Sequence, residues 1–125
     1  MALVHLGTRG KRLWKSLLAQ DSALSDVLSP MREVALSACC VADRVERLEL
    51  LARQVDPVCA GKFGDTIHPV FAEVRQQEAT LARLVSALRL PDEASGRRPQ
   101  HRSLRGVQKP SNVSAIERAR AKRGA

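Results

Sequence analysis

The chain has 125 residues, a formal charge of +8 and three aromatic side chains, Trp14, Phe63 and Phe71. That is room for one domain, with little but Leu, Val and Ala to fill its core. No apolar run reaches membrane-spanning length, and three cysteines, two of them adjacent, do not make a disulfide framework.

Charge is unevenly placed. Residues 1–90 carry twelve Lys/Arg against ten Asp/Glu, whereas residues 91–125 carry nine against three. A nearly neutral body with a strongly basic tail points to a polyanionic partner.

In chain order, the first expected element is a helix over about 8–20. Residues 1–20 hold four basic residues and no acid, as a mitochondrial presequence does. The apolar side made by Leu13, Trp14, Leu17 and Leu18 favours a first helix packed on the body instead. "DSALSDVLSP" then interrupts with turn formers and room for one short helical turn. A long helix is expected over 30–55, with Ser29 as N-cap and Pro30 at the first position, where its missing N–H costs nothing. Its apolar stripe runs Met31, Val34, Ala35, Ala38, Val41, Ala42, Val45, Leu48, Ala52 and Val55. Leu36, Cys39, Cys40, Leu50 and Leu51 widen the stripe, so the helix is expected to be buried on more than one side. Asp56-Pro57 ends it, because a residue before proline is biased away from helical geometry.

Val58–Ala60 and Asp65–Ile67 flank a loop containing Gly61 and Gly64, which reads as a small β-hairpin. Pro69 opens a third helix, expected to reach residue 90 before Pro91. Its seam, Ile67, Val70, Val74, Gln77, Leu81, Leu84 and Leu88, steps by three and four residues, the spacing of a helix packed lengthwise on another. The fold expected is all-α. An antiparallel helical hairpin is preceded by a short N-terminal helix and carries a small β-hairpin between its long helices. Residues 1–90 form the helical oligomerisation domain. Residues 91–125 form a disordered basic tail, ending in "SAIERARAKRG", where Ser114 and Glu117 make a capping box.

Catalytic motifs are not found. "AGKFGD" has Phe63 where a phosphate loop needs Ser or Thr. His5, His68 and His101 have no second ligand at metal spacing, and His68 before Pro69 reads as a helix-cap residue. Asn112-Val113-Ser114 matches a glycosylation sequon, which matters only in a secreted chain. No nucleophile–base or carboxylate pair is evident, so no catalytic residue, metal or cofactor is assigned. The surplus apolar surface of the second helix suggests subunit packing, centred with the hairpin seam on Val41, Val45, Leu48, Val70, Val74, Leu81, Leu84 and Leu88.

"LGTRGKRLWKSLL", "ACCVADRVERLELLAR", "HPVFAEVRQQEATLARLVSALRLP" and "RPQHRSLRGV", in that order, resemble the small terminase subunit of tailed phages that infect actinobacteria. The shared words are Gly-x-Arg-Gly-x-x-Leu-Trp at Gly7–Trp14, Ala-Asp-Arg-x-x-Arg-Leu at Ala42–Leu48, and the run from His68 to Pro91. Together they cover roughly residues 6–107. The resemblance implies a non-enzymatic packaging factor in the host bacterial cytoplasm. Such a factor forms a homo-oligomeric ring, recognises double-stranded viral DNA and regulates the large terminase subunit that carries ATPase and nuclease. The stretch before Ser29 is too short for the separate helix-turn-helix domain of many small terminases. That leaves two candidate DNA contacts: Arg9, Lys11, Arg12 and Lys15 in the first helix, and Arg97, Arg98, Arg102, Arg105, Lys109, Arg118, Arg120, Lys122 and Arg123 in the tail. The competing expectations are a helical-hairpin adaptor whose tail binds nothing specific, and a basic RNA-binding protein.

Overall fold

Three amphipathic segments fold as helices: α1 (Thr8–Gln20), α2 (Pro30–Ala52) and α3 (Pro69–Ala87). A 3-10 turn at Ser22–Ser25 joins the first two, and an antiparallel pair of strands, β1 (Val58–Gly61) and β2 (Gly64–Ile67), joins the second and third. The structure, a computed structural model, describes residues 5–100, 119, 120 and 122–124. The N-terminal half of the tail helix expected after Ser114 lies outside those residues, as do Arg102, Arg105, Lys109 and Arg118.

α2 is the middle layer and packs against both other helices. Ala35, Ala38, Cys39, Val41, Ala42 and Val45 are buried along it, but of the residues expected to widen the stripe only Cys39 is buried, Leu36 is half-buried, and Cys40, Leu50 and Leu51 are exposed because neither neighbouring helix covers that side. Most of the buried side chains are small, which lets neighbouring helices approach closely. On the α1 side, Leu6, Trp14 and Leu17 pack with Leu24 of the 3-10 turn, Ala35, Cys39 and Leu88 into one cluster. Arg32 lies 5.2 Å over the Trp14 ring and donates to the carbonyls of Leu24 and Ser25, tying the turn to α2.

The α2–α3 seam is less covered than its spacing suggests. Val41, Val45, Val70 and Leu88 are buried, but Leu48, Val74, Leu81 and Leu84 are half-buried. Gln77 donates to Glu73 Oε1 at 2.7 Å and so is satisfied within its own helix. Ile67 is not a seam residue. It pairs with Val58 across the strands and is 70% exposed. Met31, expected at the head of the α2 stripe, is also exposed, because the turn before α2 leaves that end uncovered.

Both long helices stop three residues short of expectation, α2 at Ala52 and α3 at Ala87. Each closes in a tightened last turn ahead of its proline, with the Gln54 N–H on the Leu51 carbonyl in α2 and the Arg89 N–H on the Ser86 carbonyl in α3. Arg89 then leaves α3 in the left-handed region, φ 49°. At the helix starts, His68 Nδ1 accepts the Val70 N–H at 3.2 Å, as expected of a cap, whereas the Ser29 hydroxyl makes no capping bond.

α1 has no side chain of its own at its N-cap, which is Gly7. Asp43, from the middle of α2, does the work. One carboxylate oxygen accepts the Gly7 N–H at 2.7 Å and the other the Gly10 N–H at 2.6 Å. Hydrogen bonds to a charged acceptor contribute about 1.5–3 kcal/mol each, and the negative charge also suits the positive end of the helix dipole. This docking leaves no room for a side chain at residue 10. A Cβ on Gly10 would overlap Asp43 Oδ2 and stand 2.8 Å from the Cys39 carbonyl oxygen.

The geometry and the propensity scale therefore disagree about Gly10→Ala, and denaturant unfolding decides between them. Propensity alone predicts a gain of about 1 kcal/mol for replacing a helical glycine. The contact with α2 predicts a loss, with Asp43→Ala losing about 3 kcal/mol because the buried Gly10 N–H and the partly buried Gly7 N–H are left without an acceptor. A loss of that size lowers the Tm of a small domain by more than 10 °C, at about 4–8 °C per kcal/mol.

Candidate nucleic-acid interface

Once Asp43 and the Trp14–Leu17 side hold α1 against α2, the rotation of the helix is fixed. Lys11, Arg12 and Lys15 then share its water-facing side with Thr8, Ser16, Ala19 and Gln20, and α1 has no acidic residue. Arg9 is turned inward and pairs with Glu49 of α2 at 2.8 Å, both side chains about one-third exposed. Of the four cations expected in the first helix, three face solvent together and one braces the α1–α2 contact.

The end of α1 already holds an anionic group of its own chain. Helix N-termini attract phosphate through unused N–H groups. Here Asp43 already occupies those of Gly7 and Gly10, so contact with a polyanion falls to side chains.

α2 supplies further cations that were not assigned from the sequence. Arg44 and Arg47 are exposed and border a shallow depression with His5, Cys40 and Asp43. Arg53 borders another with Arg9, Arg12, Glu46 and Glu49. The sequence carried a signal for the first pair: Arg44 and Arg47 are three apart, hence on one helix face, and both follow Asp43 within the second shared word. Their proximity to α1 follows from the Asp43 bonds and was not legible before them.

The expected tail contacts divide. Arg97 is exposed. Arg98 pairs at 2.7 Å with Asp21, a buried carboxylate at the end of α1 that also caps the 3-10 turn through the Ala23 N–H. Arg89 donates to the Pro99 carbonyl. The segment from Pro91 to Gln100 is thereby held along the C-terminal end of α1, and Pro91 is half-buried. Arg120, Lys122 and Arg123 are exposed, with the Gly124 N–H on the Arg120 carbonyl at 3.1 Å, one helical turn.

Among the described residues, no group of three His, Cys, Asp or Glu side chains is placed to hold a metal ion, and no helix is long and apolar enough to cross a membrane. The arrangement suits electrostatic contact with a polyanion. Compared with protein-family models, curated proteins and solved structures, the chain finds no match.

Cys39 reports on this site, because it lies under α1 beside Asp43. Its thiol is pushed up to about 11, first by burial and then by the neighbouring Cys40 and Asp43. A thiol-specific reagent should modify exposed Cys40 rapidly in native protein and Cys39 only slowly. Asp43→Asn should bring Cys39 labelling forward by loosening α1. Equal native-state rates at Cys39 and Cys40 would show that α1 is not held as described.

Proposed function

We propose that this chain is a small terminase subunit of a tailed phage. In this reading it works in the host bacterial cytoplasm as a homo-oligomeric ring that binds double-stranded viral DNA. It has no catalytic residues and regulates the large terminase subunit, whose ATPase and nuclease do the chemistry. The identity rests on the ordered resemblance at Gly7–Trp14, Ala42–Leu48 and His68–Pro91.

The observation that carries the DNA part is the acid-free outer face of α1, where Lys11, Arg12 and Lys15 are exposed on a helix fixed by Asp43. Ring formation is supported by the half-covered seam, since Leu48, Val74, Leu81 and Leu84 retain surface that α2 and α3 do not bury in each other. Basic side chains on a rigid helix contact phosphates and set register. Sequence discrimination would need base contacts in addition.

Salt titration of duplex binding separates the two basic regions. The slope of log affinity against log salt is about −0.9 per phosphate neutralised. Reversing Lys11, Arg12 and Lys15 to Glu should flatten it by about 3. Truncation after Gln100 keeps Arg97 and the Arg98–Asp21 pair and removes the other seven tail cations. With half of them engaged, it should flatten the slope by about 3 as well. An unchanged slope in both variants removes DNA contact from the proposal, and tighter binding to duplex RNA than to DNA favours the RNA-binding alternative. Mixing with a cognate large subunit should change that subunit's ATPase rate, while the chain alone hydrolyses no ATP.

A further inference from the structure

The crossing of α1 over Asp43 leaves two flanks of different electrostatic character. On one flank, Arg9, Arg12 and Arg53 border a depression with Glu46, Glu49 and Leu50. Arg9 is already paired with Glu49 there. Among the described residues, no hydrogen bond or ion pair engages Glu46, so a phosphate on that flank meets repulsion as well as attraction.

The other flank is a shallow depression lined by His5, Cys40, Asp43, Arg44 and Arg47. Its one carboxylate, Asp43, is buried and has each oxygen on a backbone N–H, of Gly7 at 2.7 Å and Gly10 at 2.6 Å. Arg44 and Arg47 are exposed and stand three apart on one helix face. Neither makes an ion pair among the described residues.

We propose that Arg44 and Arg47, with His5, form a phosphate site for a nucleic-acid backbone. Guanidinium groups suit phosphate because their planar forks of N–H groups bond its oxygens in pairs. The His5 ring carries an N–H donor in either protonation state. The charge of Asp43 at the base of the site is opposed by the positive end of α1 as well as by the two arginines.

The lining favours a backbone over a small phosphorylated ligand. Pockets for small molecules are mostly apolar, and no aliphatic side chain lines this one, so it offers a grip on phosphate and little else. Lysines of α1 extend the grip. At about 100° per residue, Lys11 and Lys15 lie on the flank of α1 away from Arg9. Arg9 faces Glu49, so those lysines fall on the same flank of the crossing as Arg44 and Arg47. A backbone lying there meets cations from both helices. The site deepens the DNA-contact part of the proposed function and rests on that reading only for the source of the phosphate.

Cys40 makes the site observable, because its thiol is exposed and lines the same depression. Cys59, half-buried on β1, is a reference thiol in the same chain. Duplex DNA added to the full chain should slow modification of Cys40 by N-ethylmaleimide and leave Cys59 unchanged. Arg44→Ala with Arg47→Ala should abolish that protection. It should also flatten the salt slope of duplex binding by about 1 to 2, according to whether the two arginines share one phosphate. Cys39 should stay slow in this variant, since Asp43 still holds α1 and exposed substitutions cost little stability.

The site is overturned by duplex that binds without slowing Cys40, or that protects the double variant as it does the wild type. Protection by inorganic phosphate with none by duplex overturns the backbone as occupant. A chain that binds no duplex overturns both the site and the DNA part of the function. The two readings otherwise fail apart. Cys40 protected by duplex, with no change in a large subunit's ATPase, keeps the site and removes the proposed function. A slope flattened by reversing Lys11, Arg12 and Lys15, with Cys40 unprotected in the wild type, keeps DNA contact and removes the site.

Discussion

One buried carboxylate organises this fold. Asp43 accepts two N–H groups from the first turn of α1, and no other side chain caps that helix. A buried carboxylate is costly unless it is fully engaged, and here each oxygen has its own backbone donor. The arrangement sets the register and rotation of α1 at once, because Gly7 and Gly10 must both face α2. It also explains why residue 10 has no side chain, although alanine would make the better helix. The basic outer face of α1 follows from the same constraint. With one side held by Asp43, Trp14 and Leu17, Lys11, Arg12 and Lys15 fall on the exposed side.

Polar anchoring of this kind compensates for a thin core. α2 is lined by Ala35, Ala38, Cys39 and Ala42, residues that bury little area each but permit close approach of the neighbouring helices. What small side chains lose in burial is offset by directional contacts. Arg9 with Glu49 and Arg32 with Trp14 and the 3-10 turn each tie separate elements together, and Arg98 with Asp21 does the same across 77 positions of sequence. Three arginines are thus committed to holding the body together. Counting charge from composition overstates what is offered to a partner, because Arg9 and Arg98 are already spent.

The elements were legible in the sequence because their signals are local. Proline at the first position set the starts of α2 and α3, periodic leucines and alanines set their type, and Gly61 and Gly64 marked the hairpin. The helices end three residues earlier than expected from the prolines, because each closes in a tight 3-10 turn that no local sequence signal marks. Within the site, the exposure of Lys11, Arg12 and Lys15 follows from their spacing against Trp14 and Leu17. The withdrawal of Arg9 and Arg98 does not, because their partners Glu49 and Asp21 are found only after the chain has folded. Asp43 was present in a shared word of the sequence, yet its role needs the opposite helix to be in place.

The distribution of aromatic residues carries a last consequence. Trp14 is buried under Arg32, Phe71 is half-buried in the α2–α3 groove, and Phe63 stands in water at a tip held by backbone bonds. Each therefore faces a different surrounding, and only Trp14 stabilises the isolated body with most of its area. A chain short of aromatics that leaves one almost wholly in solvent has stability to gain from any contact that covers it. The half-covered seam residues Val74, Leu81 and Leu84 point the same way, since α2 is not wide enough to bury the apolar side of α3. Small domains bury a low fraction of their surface alone and gain proportionately more from association. Apolar area is left uncovered along the α2–α3 side, and positive charge on the outer face of α1. The two surfaces adjoin at Glu49 and Arg53, which border both the α1–α2 depression and the α2–α3 groove.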